Sequence, residues 1–400
     1  MVGEEGEGQQ YIQYLYSNLG LEVISFEAER EKISQHEAVT ESELEYKGRP
    51  NIIGILEGES SARSLLLNGH IDVVPPGPIG EWDYSPWEAK VVGRKLYGRG
   101  ALDMKGGLMA NYFALKSILE AGLKPKGTVM LQSVVDEEAD GGGGTLACLL
   151  EGFTADGLVI PEPIMEIAVA HPGVAHFRVR VTGKPAHAGR AHTGVNAISK
   201  MNLICQALVA LDEKRAREKH YPLFEKYSER SCHTVISTYR AGDWPSTVAG
   251  WAEIEGRISY VPGESLDEAK HQVEQVVNDT AYADEWLRHH RPEIIWFGGS
   301  RAGKIVSWEQ NPNDPLVVVF KACAEEILGS TMDIVGKTAG MDTRFAPYFG
   351  IPALSFGPNG ENYHGVNEYV DLDSLVDCTK ILASFMMAWC GYSAMNQAAC

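Results

Sequence analysis

The sequence predicts an α/β protein, a mixed and mostly parallel sheet with helices on both faces, into which a smaller ferredoxin-like α+β domain is inserted. Three observations carry this. Continuous apolar runs alternate with helical patterns through the first third of the chain, as in a sheet buried on both faces. Near residue 174 the pattern changes to strict apolar/polar alternation, in the order β-α-β-β-α-β. After about residue 300 the first style returns.

In chain order, Ser64–Asn68 is a short apolar run that ends in Gly69-His70. Gly107–Leu119 is helical, with apolar Leu108, Met109, Phe113, Leu115 and Ile118. Thr128–Val135 and Gly157–Ile160 read as buried strands. His176–Val181 alternates as a strand with one wet face does. A helix from about Val195 to Leu211 follows, then strands at Thr234–Tyr239 and Trp251–Tyr260, a helix from Leu266 to about Val277, and a strand near Glu293–Phe297. The last part supplies a helix at Pro315–Ile327, a buried strand at Ala353–Phe356 and a final helix at Asp373–Cys390. The expected domains are 1–173 and 300–400, together forming one discontinuous domain, and 174–299 as the insertion.

Composition narrows the function. With 44% hydrophobic residues the chain is not disordered, and 42 Gly and 19 Pro without a period exclude collagen. No stretch of about 18 apolar residues suggests a membrane span. Met1–Gln10 is acidic and Gly-rich, without the basic and apolar regions of a secretory signal, so a cytoplasmic location is expected. A net charge of −19, from 54 acidic against 35 basic side chains, repels phosphate backbones and anionic lipid, so neither nucleic acid nor membrane is an expected partner. The seven cysteines, at 148, 205, 232, 323, 378, 390 and 400, form no CxxC pair and read as reduced thiols.

The chemistry lies in short motifs at predicted strand ends: Gly69-His70-Ile71-Asp72-Val73-Val74-Pro75, Asp136-Glu137-Glu138, Pro161-Glu162-Pro163 and Tyr363-His364-Gly365, with Gly98–Gly107 following a glycine-rich turn. Singly each is commonplace, and Asp-Glu-Glu is more often a solvated turn. Gly141–Gly144 reads as a flexible turn or a helix start, not a phosphate loop. Ligands of open α/β sheets bind outside the carboxyl ends of the strands, so the motifs converge there. That gathers Asp72, Asp103, Glu137, Glu138 and Glu162, which repel one another unless cations are present. His70 and His364 complete a mixed N/O set suited to zinc, cobalt or manganese. With Asp103, Glu138 and Glu162 as ligands, three negative charges face two divalent ions, and a shared hydroxide brings the sum near neutral. Asp103 can span two ions roughly 3.5–4 Å apart. Asp72 is placed to orient His70, and Glu137, left without a metal role, is the candidate general base.

These motifs, with Gly183–Gly189 and Gly256–Glu264, resemble the dinuclear-zinc aminoacylase and metallopeptidase family of acetylornithine deacetylase, succinyl-diaminopimelate desuccinylase and glutamate carboxypeptidase, over nearly the whole chain. The resemblance implies a zinc-peptidase-like catalytic domain with an inserted lid and dimerisation domain. It implies one ion on His70 and Glu162, the other on Glu138 and His364, Asp103 bridging, and Glu137 as base. It further implies a cis Asp103–Met104 peptide, a His187 that reaches the partner subunit's site to stabilise an oxyanion, an Arg257 that binds a substrate carboxylate, and, from a looser match, Asp342 and Arg344 in the substrate pocket. The implied activity is amide cleavage of an N-acyl amino acid by a homodimer; a dipeptidase or carboxypeptidase is the alternative, and an inactive ligand-binding homologue a further one. Relatives usually carry a further helix before the Gly3–Glu7 segment, so either the start is truncated or this member lacks that helix. Asn359 and Asn362-Tyr363 depart from the family pattern near the pocket, and the acyl group stays open.

Overall fold

The computed structural model describes residues 1–39, 45–139, 141–226, 228–297 and 305–395. By its packing the chain divides into two compact units, Met1–Val169 with Glu309–Gly336 and Met341–Cys400, and Ala170–Trp308 with Lys337–Gly340.

The first unit is built on a nine-stranded sheet. At its centre Val129–Val134, Leu65–His70, Leu158–Ile160 and Ala353–Ser355 pair in parallel. Every residue of these four strands is buried, which is why none of them alternates in sequence. Asn51–Leu56 and Glu22–Phe26 extend one side antiparallel, and Ile167–His171 continues the other, antiparallel to Ala353–Ser355. Helices cover both faces, as the neighbours of Leu65–His70 reveal. A Cβ on Gly69 would sit 3.2 Å from Leu108 Cδ1 of the helix Gly107–Glu120. On the opposite face, Asn68 Nδ2 donates to Thr145 Oγ1 of the helix Thr145–Leu150.

The parallel set fixes where chemistry can occur. His70 ends one central strand, Asp136–Glu138 follow the next, and Glu162 follows the third, all on one sheet edge. His364 arrives on a hairpin, between Gly360–Glu361 and Tyr369–Asp371, whose second strand pairs with Lys95–Tyr97. The Asp103–Met104 peptide is cis.

The second unit is a four-stranded antiparallel sheet in the order Thr234–Ala241, Trp251–Tyr260, Gly173–Thr182, Glu293–Phe297. Numbered along the chain this is 2-3-1-4, the ferredoxin-like order. Helices Ala197–Glu218 and Leu266–Ala283 share its core, with Met201, Ile204, Leu208, Val273 and Val277 against Phe177, Val179 and Ile254. Ser265 and Glu268 close a reciprocal capping box at the start of the second helix.

Two differences from the sequence reading have physical causes. The first helix runs two turns past Leu211, to Glu218, although residues 212–218 are nearly all charged. Arg215 takes the next place on the buried stripe after Leu211. Its guanidinium donates to both oxygens of Glu264, at 2.8 Å each, and to the Ser259 carbonyl at 2.9 Å. The glycine run 141–144 is, as read, a turn into a helix, with Gly144 as the N-cap of Thr145–Leu150, but it is buried and tightly packed: a Cβ on Gly141 would lie 1.8 Å from Asp136 Oδ2, and one on Gly143 2.1 Å from Tyr46 Cε1. Six of the cysteines are free; Cys400 lies outside the described residues, as does the expected 299/300 boundary. Among the described residues no helix is long and apolar enough to cross a membrane.

Arg215 and Glu264 are both almost fully buried. Arg215→Ala leaves the buried Glu264 with only Lys219, 3.0 Å from its Oε1, and Gln272, which donates to the same oxygen at 2.9 Å. Losing the charged hydrogen bonds of Arg215 is expected to destabilise the protein by about 1.5–3 kcal/mol, read as a lowered midpoint in urea denaturation of the intact chain; a shift below about 1 kcal/mol would contradict this assignment.

Candidate metal centre

His70 is buried at the end of its strand, with the two ring nitrogens facing different partners. Nδ1 lies 3.0 Å from the main-chain oxygen of Asp72, so it carries the proton. That turns Nε2 toward carboxylates: Asp103 Oδ1 at 3.2 Å, Glu137 Oε2 at 3.9 Å and Glu162 Oε1 at 3.9 Å. His364 Nε2 likewise meets Glu138 Oε2 at 2.8 Å and Asp103 Oδ2 at 3.4 Å. The Asp103 carboxylate therefore offers one oxygen to each imidazole. Two donor triplets, His70 with Glu137 and Glu162, and His70 with Asp103 and Glu138, have ligand atoms within 4.8 Å of one another.

This arrangement fits divalent cations. Ionised carboxylates only accept hydrogen bonds, and a neutral imidazole offers a lone pair on its second nitrogen. The pocket thus points electron pairs inward from every side, and a cation satisfies all of them. Without one, protons must do so. Burial disfavours the charged form of His70, yet the Asp103 hydrogen bond and the charges of Glu137, Glu162 and Asp72 outweigh it and push its pKa well above the ordinary value. Hydrogen bonds to Asp103 and Glu138 raise His364 to about 10. Burial raises Glu137 well above a normal carboxyl, helped by Glu162, Asp342 and Glu138 and opposed by His70. Burial also lifts Asp72 to about 7.

Asp72, expected to orient His70, lies beside its Nδ1. The short contact comes from its main chain; its Oδ1 stands 3.7 Å from Nδ1, while Oδ2 accepts from the Glu138 amide at 3.1 Å. Asp72 therefore positions both a histidine and an acid of the centre.

Asp136 is a contributor the sequence did not single out. It adopts φ +74°, a conformation that a side chain makes unfavourable and that its surroundings must impose. Tyr46 Oη donates to its Oδ2 at 3.0 Å, and the Gly143 amide does so at 3.2 Å. Arg49 stands 3.7 Å away while donating to both oxygens of Glu5 at 2.7 and 2.8 Å. The turn that aims Glu137 and Glu138 thus rests on partners far away in the chain, for which no local motif exists.

The remaining expected residues lie elsewhere. Asp342 and Arg344 are buried on the 3₁₀ segment Asp342–Phe349, ion-paired at 3.2 Å. Asp342 is close enough to raise the Glu137 pKa; Arg344 packs over the Phe345 ring at 4.3 Å. His187 and Arg257 belong to the second unit. His187 is exposed, and its Nδ1 accepts from the Gly189 amide at 3.1 Å. Arg257 is exposed on its strand; Glu253 and Glu255, which could have paired with it, face Arg178 at 3.8 and 2.5 Å.

Residues 66–388 match the profile of Peptidase family M20/M25/M40. The chain belongs to this family. It is 31% identical over 362 residues to the N-formyl-4-amino-5-aminomethyl-2-methylpyrimidine deformylase of Bacillus subtilis, covering 86% of this chain and 84% of that protein. The deformylase of the same name from Halalkalibacterium halodurans is 31% identical over 404 residues, covering 96% and 89%. The succinyl-diaminopimelate desuccinylase of Alkalilimnicola ehrlichii is 29% identical, covering 77% and 80%. Among solved structures, an M20 family metallo-carboxypeptidase from Sulfolobus solfataricus superposes with a TM-score of 0.73 at 19% identity, over 96% of this chain and 94% of that one. As a member of the M20 family the protein is an amide hydrolase, and its donor set suits divalent metal ions.

Because the metal-free pocket holds protons at neutral pH, ion uptake must expel them. Titration of Co²⁺ or Mn²⁺ into chelator-treated protein at pH 7 should give heats that depend on the ionisation enthalpy of the buffer; equal heats in two unlike buffers would contradict the donor assignment. The raised acid and imidazole pKa values also share one sign. At these two sites the folded metal-free protein binds more protons than the unfolded chain, from above 3.8 through about 7 at Asp72 and from 6.5 to about 10 at His364. Their contribution to stability therefore falls as pH rises through those windows, and saturating divalent ion should remove that contribution from the slope in pH-dependent melting.

Proposed function

We propose that the protein hydrolyses the amide bond of a small N-acyl amino acid with two divalent ions, zinc being our assignment for the cell. The observation that carries the reading is the Asp103 carboxylate, which turns one oxygen to His70 and the other to His364. His70 and Glu162 would hold one ion, Glu138 and His364 the other, and Asp103 both. Bound there, the ions would polarise the scissile carbonyl and make a water acidic enough to ionise near neutral pH.

The residues of the chain do the rest. Glu137 takes the proton of the attacking water and hands it to the leaving amine; its raised pKa, set first by burial, suits a group that must hold a proton between the two events. The second unit is assigned the roles of lid and dimer interface, from which His187 stabilises the oxyanion in the partner subunit's site. Arg257, exposed and without an ion-pair partner among the described residues, would bind the substrate carboxylate. Asp342 and Arg344 are assigned to the substrate pocket on the resemblance; Asp342 also helps to raise the Glu137 pKa. A cytoplasmic location completes the proposal.

A second reading rests on the two deformylases at 31% identity. The compound in their name is a formamide of an aminomethylpyrimidine with no carboxylate. Arg257 separates the two readings. A panel of N-acetyl, N-succinyl and N-formyl amino acids, dipeptides and the formamidopyrimidine, assayed for amine release with and without chelator, decides the class. On a carboxylate substrate Arg257→Leu should raise KM about 10–100-fold, the worth of a charged hydrogen bond; on a formamide without a carboxylate it should do little. Glu137→Gln should keep its metal ions, counted by elemental analysis, and lose about 10²–10⁴-fold in kcat. A near-normal kcat would remove Glu137 from the base role.

A further inference from the structure

Glu368 is fully buried and takes no part in the donor set. Its Oε1 accepts from the main-chain amides of Leu102 at 2.9 Å and Asp103 at 3.1 Å. Its Oε2 accepts from the amide of Gly100 at 2.9 Å and from Arg99 Nη1 at 2.5 Å. The remaining amide of that stretch, Ala101, is taken by the Gly98 carbonyl at 3.1 Å. One side chain thus satisfies three of the four successive amides of the loop that carries Asp103.

Glu368 also belongs to the other half of the centre. It follows the His364 loop and precedes Tyr369–Asp371, the strand that pairs with Lys95–Tyr97. Its own carbonyl accepts from the Gly98 amide at 3.0 Å, which extends that ladder to the start of the Asp103 loop. Arg99 closes the link from the far side: Nη1 holds Glu368, and Nη2 donates to the Gly365 carbonyl at 2.8 Å, one residue beyond His364. The His364 loop needs such a clamp, because Asn362, His364 and Asn367 all have positive φ, at 63°, 61° and 58°.

We propose that Glu368 is the positioning residue of the metal centre: with Arg99 it fixes the Asp103 and His364 loops against each other, so that both ion sites depend on it. A carboxylate is needed because all four groups that meet it are donors; an amide would turn its NH₂ toward two of them. Since Asp103 faces both imidazoles, a displaced Asp103 loop loosens both ions together. The inference rests on the two-ion reading of the site.

The test is a titration of full-length Glu368→Gln with Co²⁺, followed by calorimetry and by visible absorption of the bound ion, beside its melting curve in chelator. The variant is expected to melt cooperatively and to bind both ions about 10–100-fold more weakly, as loss of an outer-sphere partner does. A variant with a lower melting temperature but wild-type affinities and an unchanged Co²⁺ spectrum would make Glu368 merely structural and overturn the inference. Should Glu368→Gln not fold, Arg99→Lys keeps a cation beside Glu368 but cannot also span to Gly365; weaker Co²⁺ binding supports the clamp, and an unchanged titration refutes it. The wild type is titrated alongside. Failure of the wild type to bind any divalent ion would remove the centre itself and this inference with it, whereas normal wild-type binding with an unaffected variant removes this inference alone.

Discussion

Five carboxylates at the carboxyl edge of one sheet repel one another, and much of the surrounding structure answers that repulsion. A parallel strand end is a good place for such a cluster, because the chain leaves the sheet there and can deliver one acid per strand. It is a poor place for stability, because buried like charges raise each other's proton affinity. Burial first and then the neighbouring acids raise Asp72 and Glu137, while hydrogen bonds to the acids and their charges raise His364 and, against the cost of its burial, His70. In the metal-free state the cluster is held by protons; the same lone pairs turned inward are what a pair of divalent ions would use.

The geometry is set by groups that do not themselves face the ions. Asp72 steers His70 with its main chain and the Glu138 amide with its carboxylate. Asp136, pinned in an unfavourable conformation by Tyr46, Gly143 and the Arg49–Glu5 pair, sets the turn before Glu137. On each side a cation is buried against an acid, Arg49 with Glu5 and Arg99 with Glu368. The centre of negative charge is thereby framed by charge pairs that close among themselves and leave the inner acids to the ligand.

What could be read from sequence follows from this division. The residues that converge as donors sit in contiguous motifs at strand ends, so spacing and apolar context revealed them. The ferredoxin-like order of the second unit was legible because its strands alternate and its helices keep a clean apolar stripe. The helical extension to Glu218 was not, because Arg215 looks like a surface residue until Glu264 is beside it. Glu368 and Arg49 escaped for the same reason. Their partners lie more than two hundred residues away in one case and over forty in the other, and a lone Glu or Arg carries no local pattern. Pairing across such distances is a property of the fold, and only coordinates display it.

The discontinuous catalytic unit has a bearing on the order of biosynthesis. His70, Asp103, Glu137, Glu138 and Glu162 all precede the inserted unit, whereas His364, Glu368 and the helix Leu372–Cys390 follow it. Domains generally fold as they leave the ribosome, N-terminal parts first. A nascent chain therefore exposes its acids, together with three of the four central parallel strands, well before Ala353–Ser355, the second imidazole and its clamp exist. The inserted unit is a whole domain that must be synthesised in between. On the two-ion reading, the second set of ligands is thus completed late, once the final segment joins the earlier half.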